Sequence, residues 1–300
     1  MKYASLLILC ILLTGCSSSH LNNQPSQSSS ADSSTITVTD ALGRKVDVPR
    51  KGVKIVSCDP SITEILYALG AQDSLAIGTT MDDQPSAAKL KPHFNAMSAD
   101  MEPILAQNPN LIICIKDENG GLLPALLKTG IPVLELKAKN LNDVYQSIQL
   151  IGQAVGETQK ANTIVAGMRQ QITDVSNAVK GLPEPSILPL YGINPCYTSG
   201  PGVFINDIID ASGGKNVVTS NPAGNVISNE QVVTLNPSII ICDKYTQSQI
   251  EKEAGWSQIS SVKNHRYYYD AALLRPGPRL AQACARLAAY LHPHHAAHIK

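Results

Sequence analysis

The chain has 300 residues, and its 24 Lys and Arg balance 24 Asp and Glu, so the formal net charge at neutral pH is zero. This balance argues against a nucleic-acid-binding protein, which normally has a basic excess. Hydrophobic residues make up 43% of the chain, which excludes intrinsic disorder, and the length predicts two domains at about 100–150 residues each.

The first 15 residues have the features of a secretory signal peptide. Lys2 supplies a positive charge, and residues 6–13 form an apolar run that is too short to span a bilayer. The run ends in Leu13-Thr14-Gly15-Cys16, which resembles the bacterial lipobox, where cleavage leaves the cysteine first and its thiol carries lipid. An ordinary signal peptide with an incidental cysteine is the alternative.

Residues 16–34 are rich in Ser, Asn and Gln and show no apolar periodicity, so they predict a flexible tether. We therefore expect the mature protein to be anchored through lipidated Cys16 on the periplasmic or cell-surface face of a membrane. Which membrane carries the anchor stays open.

The first half of the chain alternates predicted strands and helices. Residues 35–40 and 45–48 predict a β-hairpin. Strands are then predicted at 54–57, 74–78, 111–115 and 132–136, with helices at 61–69, 102–107 and 122–128. This alternation is typical of a mostly parallel sheet that is covered by helices.

A long helix separates the two halves. A helical pattern before it is interrupted at Gly156, and apolar residues then recur at helical spacing through residues 157–180, without proline. At 1.5 Å per residue this helix would be about 36 Å long, enough to cross from one lobe to another. Beyond Gly181, strands are predicted at 186–191, 238–242 and 266–269, and helices at 203–211 and 278–291.

The two halves repeat each other. Residues 101–115 align with residues 229–243 at an offset of 128, and both segments read as an acidic helix start, an Asn-Pro turn and a buried strand. The identical pairs are Glu102 and Glu230, Asn108 and Asn236, Pro109 and Pro237, Ile112 and Ile240, Ile113 and Ile241, and Cys114 and Cys242. The sequence therefore predicts an α/β fold of two similar lobes, residues 35–156 and 182–293, joined by one rigid helix at 157–181, with a ligand cleft between them.

Several motifs in both halves point to one family. They are Ile55-Val56-Ser57 with Pro60-Ser61 and Thr63-Glu64-Ile65-Leu66, Tyr197-Thr198-Ser199-Gly200-Pro201-Gly202, Ala211-Ser212-Gly213-Gly214-Lys215-Asn216, and Arg275-Pro276-Gly277-Pro278-Arg279. Together these resemble the substrate-binding proteins of ABC importers for cobalamin, haem and ferric siderophores. The resemblance covers residues 35–293, and the loop at 192–200 is most similar to that of cobalamin-binding members.

The resemblance implies a monomeric binding protein that captures cobalamin or a related corrinoid and delivers it to a dimeric ABC permease. Haem or a ferric siderophore is the alternative ligand. In either case the metal chelate is cargo, and no resident cofactor or metal is expected. The enzyme alternative finds no support among sequence motifs, because the chain lacks a phosphate-binding loop, His-Glu-x-x-His and Gly-x-Ser-x-Gly.

Candidate ligand contacts lie in loops at the ends of predicted strands. Tyr197 offers a flat apolar face with a polar tip, and Thr198 and Ser199 can hydrogen-bond peripheral amides or carboxylates. Arg275 could reach a carboxylate or phosphate, or instead form a salt bridge between loop and lobe. Met81 and Tyr245 are further candidates.

Glu102 and Glu230 are the candidate contacts to the permease. The family is similar in carrying one acid on each lobe that docks into permease arginines, and the repeat relates these two residues. The alternative is that each carboxylate only complements a helix dipole. Glu64, by contrast, is predicted to be structural, because Ser61-x-x-Glu64 fits a capping box.

The remaining reactive side chains predict no metal centre. Five cysteines follow Cys16 without CxxC spacing, and two of them, Cys114 and Cys242, end apolar runs and are expected to be buried. A disulfide within the set Cys58, Cys114, Cys196, Cys242 and Cys284 stays open. The His-containing residues 294–300 predict a solvated tail; the alternative is that His292, His294, His295 and His298 bind a transition metal. Tyr267 and Tyr269, which alternate along a strand, are expected to pack on one face.

Overall fold

The computed structural model describes residues 34–98, 100–116, 118–119, 121–221 and 225–298. The predicted signal peptide, Cys16 and the rest of the predicted tether up to residue 33 lie outside these residues. Within them the predicted hairpin is confirmed, because β1 (Thr35–Thr39) pairs antiparallel with β2 (Lys45–Pro49).

A parallel sheet follows the hairpin. Its strands run in the order β5-β4-β3-β6-β7, and every neighbouring pair is parallel. The elements are β3 (Ile55–Ser57), α1 (Pro60–Ala68), β4 (Leu75–Thr79), β5 (His93–Phe94), α2 (Glu102–Leu105), β6 (Leu111–Ile115), α3 (Leu123–Lys128) and β7 (Val133–Leu136).

Two helices follow β7 in the chain. The first, α4 (Leu141–Ala154), begins with a capping box in which Asn140 and Asp143 exchange hydrogen bonds with each other's backbone N–H. After the break at Gly156, α5 (Thr158–Val179) runs for 22 residues, about 33 Å. Its buried residues are Ala161, Val165, Met168, Ile172, Val175 and Val179, which confirms the predicted helical spacing.

The second half builds a parallel sheet in the order β10-β8-β12-β13. Its elements are β8 (Ser186–Pro189), β9 (Cys196–Tyr197), α6 (Phe204–Ala211), β10 (Lys215–Asn216), β11 (Val226–Ile227), α7 (Asn229–Leu235), β12 (Ile239–Ile241), α8 (Lys244–Ile250), α9 (Ser260–Lys263), β13 (Tyr267–Tyr268) and α10 (Leu280–Leu291). The antiparallel pair β9–β11 lies apart from this sheet. Helix α8 was not predicted, because its sequence has no apolar periodicity; the Asp243 side chain starts it by accepting a hydrogen bond from the Thr246 N–H at 2.6 Å.

The predicted repeat is visible in the backbone. Asn108 ends the turn after α2 with φ of 49°, and Asn236 ends α7 with φ of 42°. Asparagine is one of the few residues that adopts this left-handed conformation readily, and in both halves a proline then leads into a buried strand. The two segments therefore share this turn as well as sequence, although α2 has four residues and α7 has seven.

One hydrophobic core joins the halves. Alternate residues of β6 and β12 point to opposite faces, so that Ile113 and Ile241 enter a central core with the apolar faces of α4, α5, α6 and α10. Ile112 and Ile240 instead enter two separate outer cores. The predicted α/β architecture of two similar lobes is confirmed, and the lobes are halves of one compact unit that spans residues 34–300.

Hydrogen bonds reinforce this joint beside α6. The Phe204 N–H donates to the Lys139 carbonyl oxygen at 2.6 Å, and the Leu141 N–H donates to Oδ2 of Asp207 at 2.9 Å. Each bond connects the segment after β7 to the start of α6. The two sheets are therefore held together by polar contacts as well as by the shared core.

Candidate functional site

Large side chains are left exposed at the carboxyl ends of the strands in the second sheet. Tyr191 follows β8, Tyr245 follows β12, and Tyr269 follows β13. Tyr191 and Tyr269 line one cavity of about 110 Å³ together with Leu274, which is also exposed. In open α/β sheets, the carboxyl ends of the strands are where ligands bind.

The loop that carries Tyr197 extends this surface. Tyr197 is 46% exposed, and its carbonyl oxygen accepts a hydrogen bond from the Tyr191 N–H at 2.9 Å. Tyr191 in turn places its hydroxyl 2.9 Å from Oγ of Ser199. The predicted contact Tyr197 and the unpredicted Tyr191 are thus fixed next to each other.

Thr198 and Ser199 lie in the same loop, and both form hydrogen bonds with other segments of the protein. Thr198 is buried and its hydroxyl donates to the Pro189 carbonyl oxygen at 2.6 Å, while the Ser199 carbonyl oxygen accepts from the Asn216 side-chain amide at 2.9 Å. The Thr198 hydroxyl therefore points into the protein and positions the loop, whereas the Ser199 hydroxyl lies 2.9 Å from the hydroxyl of exposed Tyr191.

Arg275 adopts the salt-bridge alternative. Its Nη1 donates to Oε1 of Glu64 at 2.9 Å and also to Asp83, and its Nη2 donates to the Met81 carbonyl oxygen at 3.3 Å. Burial lowers the pKa of Arg275, but the hydrogen bonds to Asp83 and Glu64 outweigh this effect, so its pKa is raised and the guanidinium stays charged.

The predicted capping role of Glu64 is wrong. Asp59 is the N-cap of α1, because its side chain accepts a hydrogen bond from the Ser61 N–H at 2.8 Å. The Glu64 side chain is only 4% exposed and, besides Arg275, accepts from Nε of Arg279 at 2.7 Å. The sequence pattern Ser-x-x-Glu was present, but the partners of Glu64 lie more than 200 residues away and leave no local signal.

Met81 and Tyr245 are both exposed, as ligand contacts must be. Met81 lies beside Arg275 through its backbone, whereas Tyr245 belongs to the first turn of α8. Tyr269, which was expected to pack with Tyr267, is half exposed and lines the 110 Å³ cavity. It is exposed because β13 ends at Tyr268, one residue earlier than the alternation requires.

A cavity with a volume of about 890 Å³ lies between the halves. One side follows β6 and β7, and the other is formed by the start of α6 and the loop before β11. Its lining residues are Ile115, Lys116, Glu118, Lys137, Ala138, Lys139, Asp143, Val203, Phe204, Asn221 and Asn225. This cleft lies between the lobes, as predicted, but none of the predicted contact residues lines it. Phe204, Asn221 and Asn225 line it but were not predicted, because no sequence motif marks them as ligand contacts.

Polar groups in the cleft suit the edge of an amphipathic ligand. Among the described residues, the side chains of Lys116, Lys137 and Lys139 form no ion pair, and Asn221 donates to the Pro201 carbonyl oxygen at 2.8 Å. Ammonium and amide groups bind carbonyl or carboxylate oxygens. The cleft can therefore bind the polar rim of a ligand whose apolar face contacts Phe204 or the exposed tyrosines.

Glu102 and Glu230 are exposed in the first turns of α2 and α7. Hydrogen bonds from its own backbone N–H and from the Ser228 side chain lower the pKa of Glu230, so this carboxylate is ionised at neutral pH. Both acids are thus available to a partner.

The five described cysteines are free and buried, so no disulfide joins them. Burial raises the pKa of Cys114 to about 12, which keeps that thiol protonated. No group of three or more potential ligand side chains for a metal occurs in the described part of the chain. Nor does any described helix have the length and apolar character needed to cross a membrane.

Comparison with known proteins agrees with this architecture. Residues 55–273 match the family model described as periplasmic binding protein. An uncharacterized ABC transporter substrate-binding lipoprotein, YvrC, from Bacillus subtilis is 30% identical over 97% of this chain and 96% of its own length. A vitamin B12-binding protein from Pectobacterium atrosepticum is 27% identical over 78% of this chain and 88% of its own.

A solved structure has the same fold. The periplasmic haem-binding protein RhuT from Roseiflexus sp. RS-1, in apo form, superposes with a TM-score of 0.69 at 23% identity and covers 83% of this chain and 100% of its own. The two lobes, the cleft at the strand ends and the match over most of the chain agree with the motifs quoted above. The chain therefore belongs to the periplasmic binding protein family, and it is a substrate-binding protein rather than an enzyme.

Proposed function

We propose that the protein captures cobalamin or a related corrinoid outside the cytoplasm and delivers it to an ABC permease. The observation that carries the proposal is the group of exposed tyrosines at the strand ends of the second sheet, together with a cleft of about 890 Å³ between the lobes. The Tyr197 loop reaches the wall of this cleft, because the Thr198 N–H donates to the Asn225 carbonyl oxygen at 2.8 Å. A corrin ring is a large flat macrocycle with peripheral amides. Aromatic faces bind its plane, and the amide and ammonium groups of the cleft bind its rim.

Similarity to a vitamin B12-binding relative supports the same ligand class. The importer partner is supported by the relative whose name describes an ABC transporter substrate-binding lipoprotein. We propose that Glu102 and Glu230 contact the permease, one from each lobe. Arg275, which pairs with Glu64 and Asp83, would act by holding Met81 at the edge of the site.

Haem or a ferric siderophore is the second candidate. The three lysines of the cleft favour it specifically, because haem carries two carboxylates at its rim and ammonium groups would bind them. A corrinoid has neutral amides at the corresponding positions. The choice between these ligands therefore depends on whether the lysines or the aromatic faces dominate binding.

Titration calorimetry of the purified protein tests the proposal with three probes: cyanocobalamin, haem and a ferric hydroxamate siderophore. We expect saturable binding of one cyanocobalamin per chain, with neither of the other probes competing at equal concentration. Binding of haem or the siderophore with no binding of cyanocobalamin would refute the corrinoid assignment.

We further propose that lipid on Cys16 anchors the protein to the outer face of a membrane. The full chain should fractionate with membranes, and its mass should exceed that of the processed polypeptide by the lipid. Cys16→Ser should abolish both properties without changing ligand affinity. A membrane-associated Cys16→Ser protein would contradict the anchor.

A further inference from the structure

The two segments that carry Glu102 and Glu230 share a second exposed feature. Three residues after each acid stands a branched aliphatic residue, Leu105 in α2 and Val233 in α7, and the same offset of 128 relates the two. Leu105 is 46% exposed and Val233 is 40% exposed. Neither belongs to any of the three hydrophobic cores.

A buried residue before these positions and a turn after them are the same in both halves. The residue just before each of them, Ile104 or Val232, is fully buried and fixes the rotation of its helix. The chain then reaches Asn108 or Asn236, both with positive φ, three residues further on. Because residues three apart lie on one face of a helix, each aliphatic side chain lies beside its acid.

Neighbouring positions of the two segments do not keep their chemistry. Pro103 corresponds to Gln231, and Ala106 corresponds to Thr234. A single exposed leucine is ordinary on a protein surface. An acid and an aliphatic residue that are both exposed, at the same spacing on a helix and before the same turn, in two related segments are not explained by folding.

We propose that Leu105 and Val233 are apolar contact residues of the permease-docking surface. This inference rests on the proposed docking through Glu102 and Glu230. The partner is a membrane protein with two equivalent subunits, each of which offers an apolar depression next to a basic side chain. A surface that repeats an acid and an aliphatic residue on two lobes is complementary to such a partner, since each lobe meets one subunit.

The test uses cells of the host that lack the chromosomal copy and produce the full-length lipoprotein with Leu105→Gln and Val233→Gln together. Initial uptake is measured with whichever of the three chelate probes the wild type binds in calorimetry. We expect uptake to fall at least tenfold, while the affinity of the purified variant for that probe and its melting temperature stay at wild-type values. Each single variant should lose less than the pair.

Leu127→Gln is the matched control, because Leu127 is 50% exposed and has glycine at the corresponding position of the other half. It should leave uptake unchanged, and a loss equal to that of the double variant would overturn the proposal. A second pair, Leu105→Ala with Val233→Ala, removes the apolar contacts without adding a polar group and keeps a good helix former. Normal uptake with this pair would also overturn it.

Glu102→Ala with Glu230→Ala tests the ionic contacts of the docking surface separately from its apolar contacts. If the acid variant fails in uptake while both aliphatic variants transport normally, the apolar contacts are refuted and the ionic docking stands. If the acid variant also transports normally, the docking surface as a whole is refuted. The proposed ligand class is tested first, by calorimetry. If the wild type binds none of the three chelates, that class is refuted before uptake is measured.

Discussion

Arg275 and Glu64 form an ion pair across 211 positions of the chain, with Nη1 of the arginine 2.9 Å from Oε1 of the glutamate. Arg279 binds the same carboxylate, so one buried acid holds two guanidinium groups of the second half against α1 of the first. The pair therefore fastens the two lobes beside Met81, whose carbonyl oxygen accepts a hydrogen bond from Nη2 of Arg275.

Glu64→Gln should lower the free energy of unfolding by about 3 kcal/mol. Removing one partner of a buried ion pair leaves the other charges uncompensated, and here two guanidinium groups lose their shared carboxylate. Urea denaturation measures the change. Asp83→Asn is the control, because Asp83 is half exposed and its contribution to the same network should stay below about 1 kcal/mol. Equal losses in the two variants would contradict the assigned roles.

Asp40 should contribute to stability at neutral pH and lose that contribution in acid. Burial raises the pKa of Asp40, but hydrogen bonds from Arg44 and Leu42 lower it by more, so the folded-state pKa lies below its ordinary value of 3.8. The contribution is therefore complete above the unfolded pKa and disappears as pH falls through the folded one.

The expected result is that Asp40→Asn lowers the melting temperature at pH 7 but flattens its dependence on pH below about 4. Arg44→Gln should flatten the same limb, because it removes the side-chain donor to Asp40. Melting profiles of wild type and Asp40→Asn that stay parallel from neutral to acidic pH would disprove this role.

Tyr197→Ala should weaken ligand binding by about 1–3 kcal/mol, the scale of a lost aromatic contact. Folding should be mostly intact, because the ring is half exposed. Tyr197→Phe keeps the ring and is expected to bind almost as the wild type does. Calorimetry with cyanocobalamin compares the three proteins, and unchanged affinity in Tyr197→Ala would move the site elsewhere.

Ligand binding should rotate the lobes only slightly. One helix, α5, links them, and the bond from the Phe204 N–H to the Lys139 carbonyl oxygen and the Arg275–Glu64 pair connect them at two further places. Wide hinge closure would have to break these contacts. Small-angle scattering should give the same radius of gyration with and without ligand, and a clear compaction would refute the prediction.

Glu102→Ala with Glu230→Ala should impair transport while affinity for soluble ligand stays unchanged. Each single variant should lose less, because one lobe stays docked. Substitution by arginine should be worse than substitution by alanine, since like charges then meet across the interface. If the acids only complement their helix dipoles, the variants will instead be slightly less stable and will transport normally. Uptake and melting temperature on the same variants decide between these outcomes.

The sequence predicted what depends on short-range patterns. The spacing from Ala161 to Val179 predicted α5 because one face of that helix is apolar, and the Asn-Pro motif predicted equivalent turns because Asn108 and Asn236 tolerate positive φ. The parallel sheets were predicted from the alternation of short apolar runs with helices, which is also a local pattern.

What depends on distant partners could not be predicted. Glu64 satisfies a local capping pattern, and nothing near it in sequence shows that Arg275 and Arg279 reach it. Thr198 has the chemistry of a ligand contact, but its direction is set by the Pro189 carbonyl oxygen in another segment. Phe204 lines the cleft because α6 begins beside Lys139, a juxtaposition that arises only in the folded chain.

The central core also sets how the molecule unfolds. Ile113 from the first sheet and Ile241 from the second are buried in one cluster with α4, α5, α6 and α10, so neither half can lose its structure without exposing the apolar face of the other. A chain cut at Gly156 would leave two fragments with large exposed apolar surfaces rather than two stable lobes. The protein should therefore melt in one cooperative transition, in which both halves lose their shared core together.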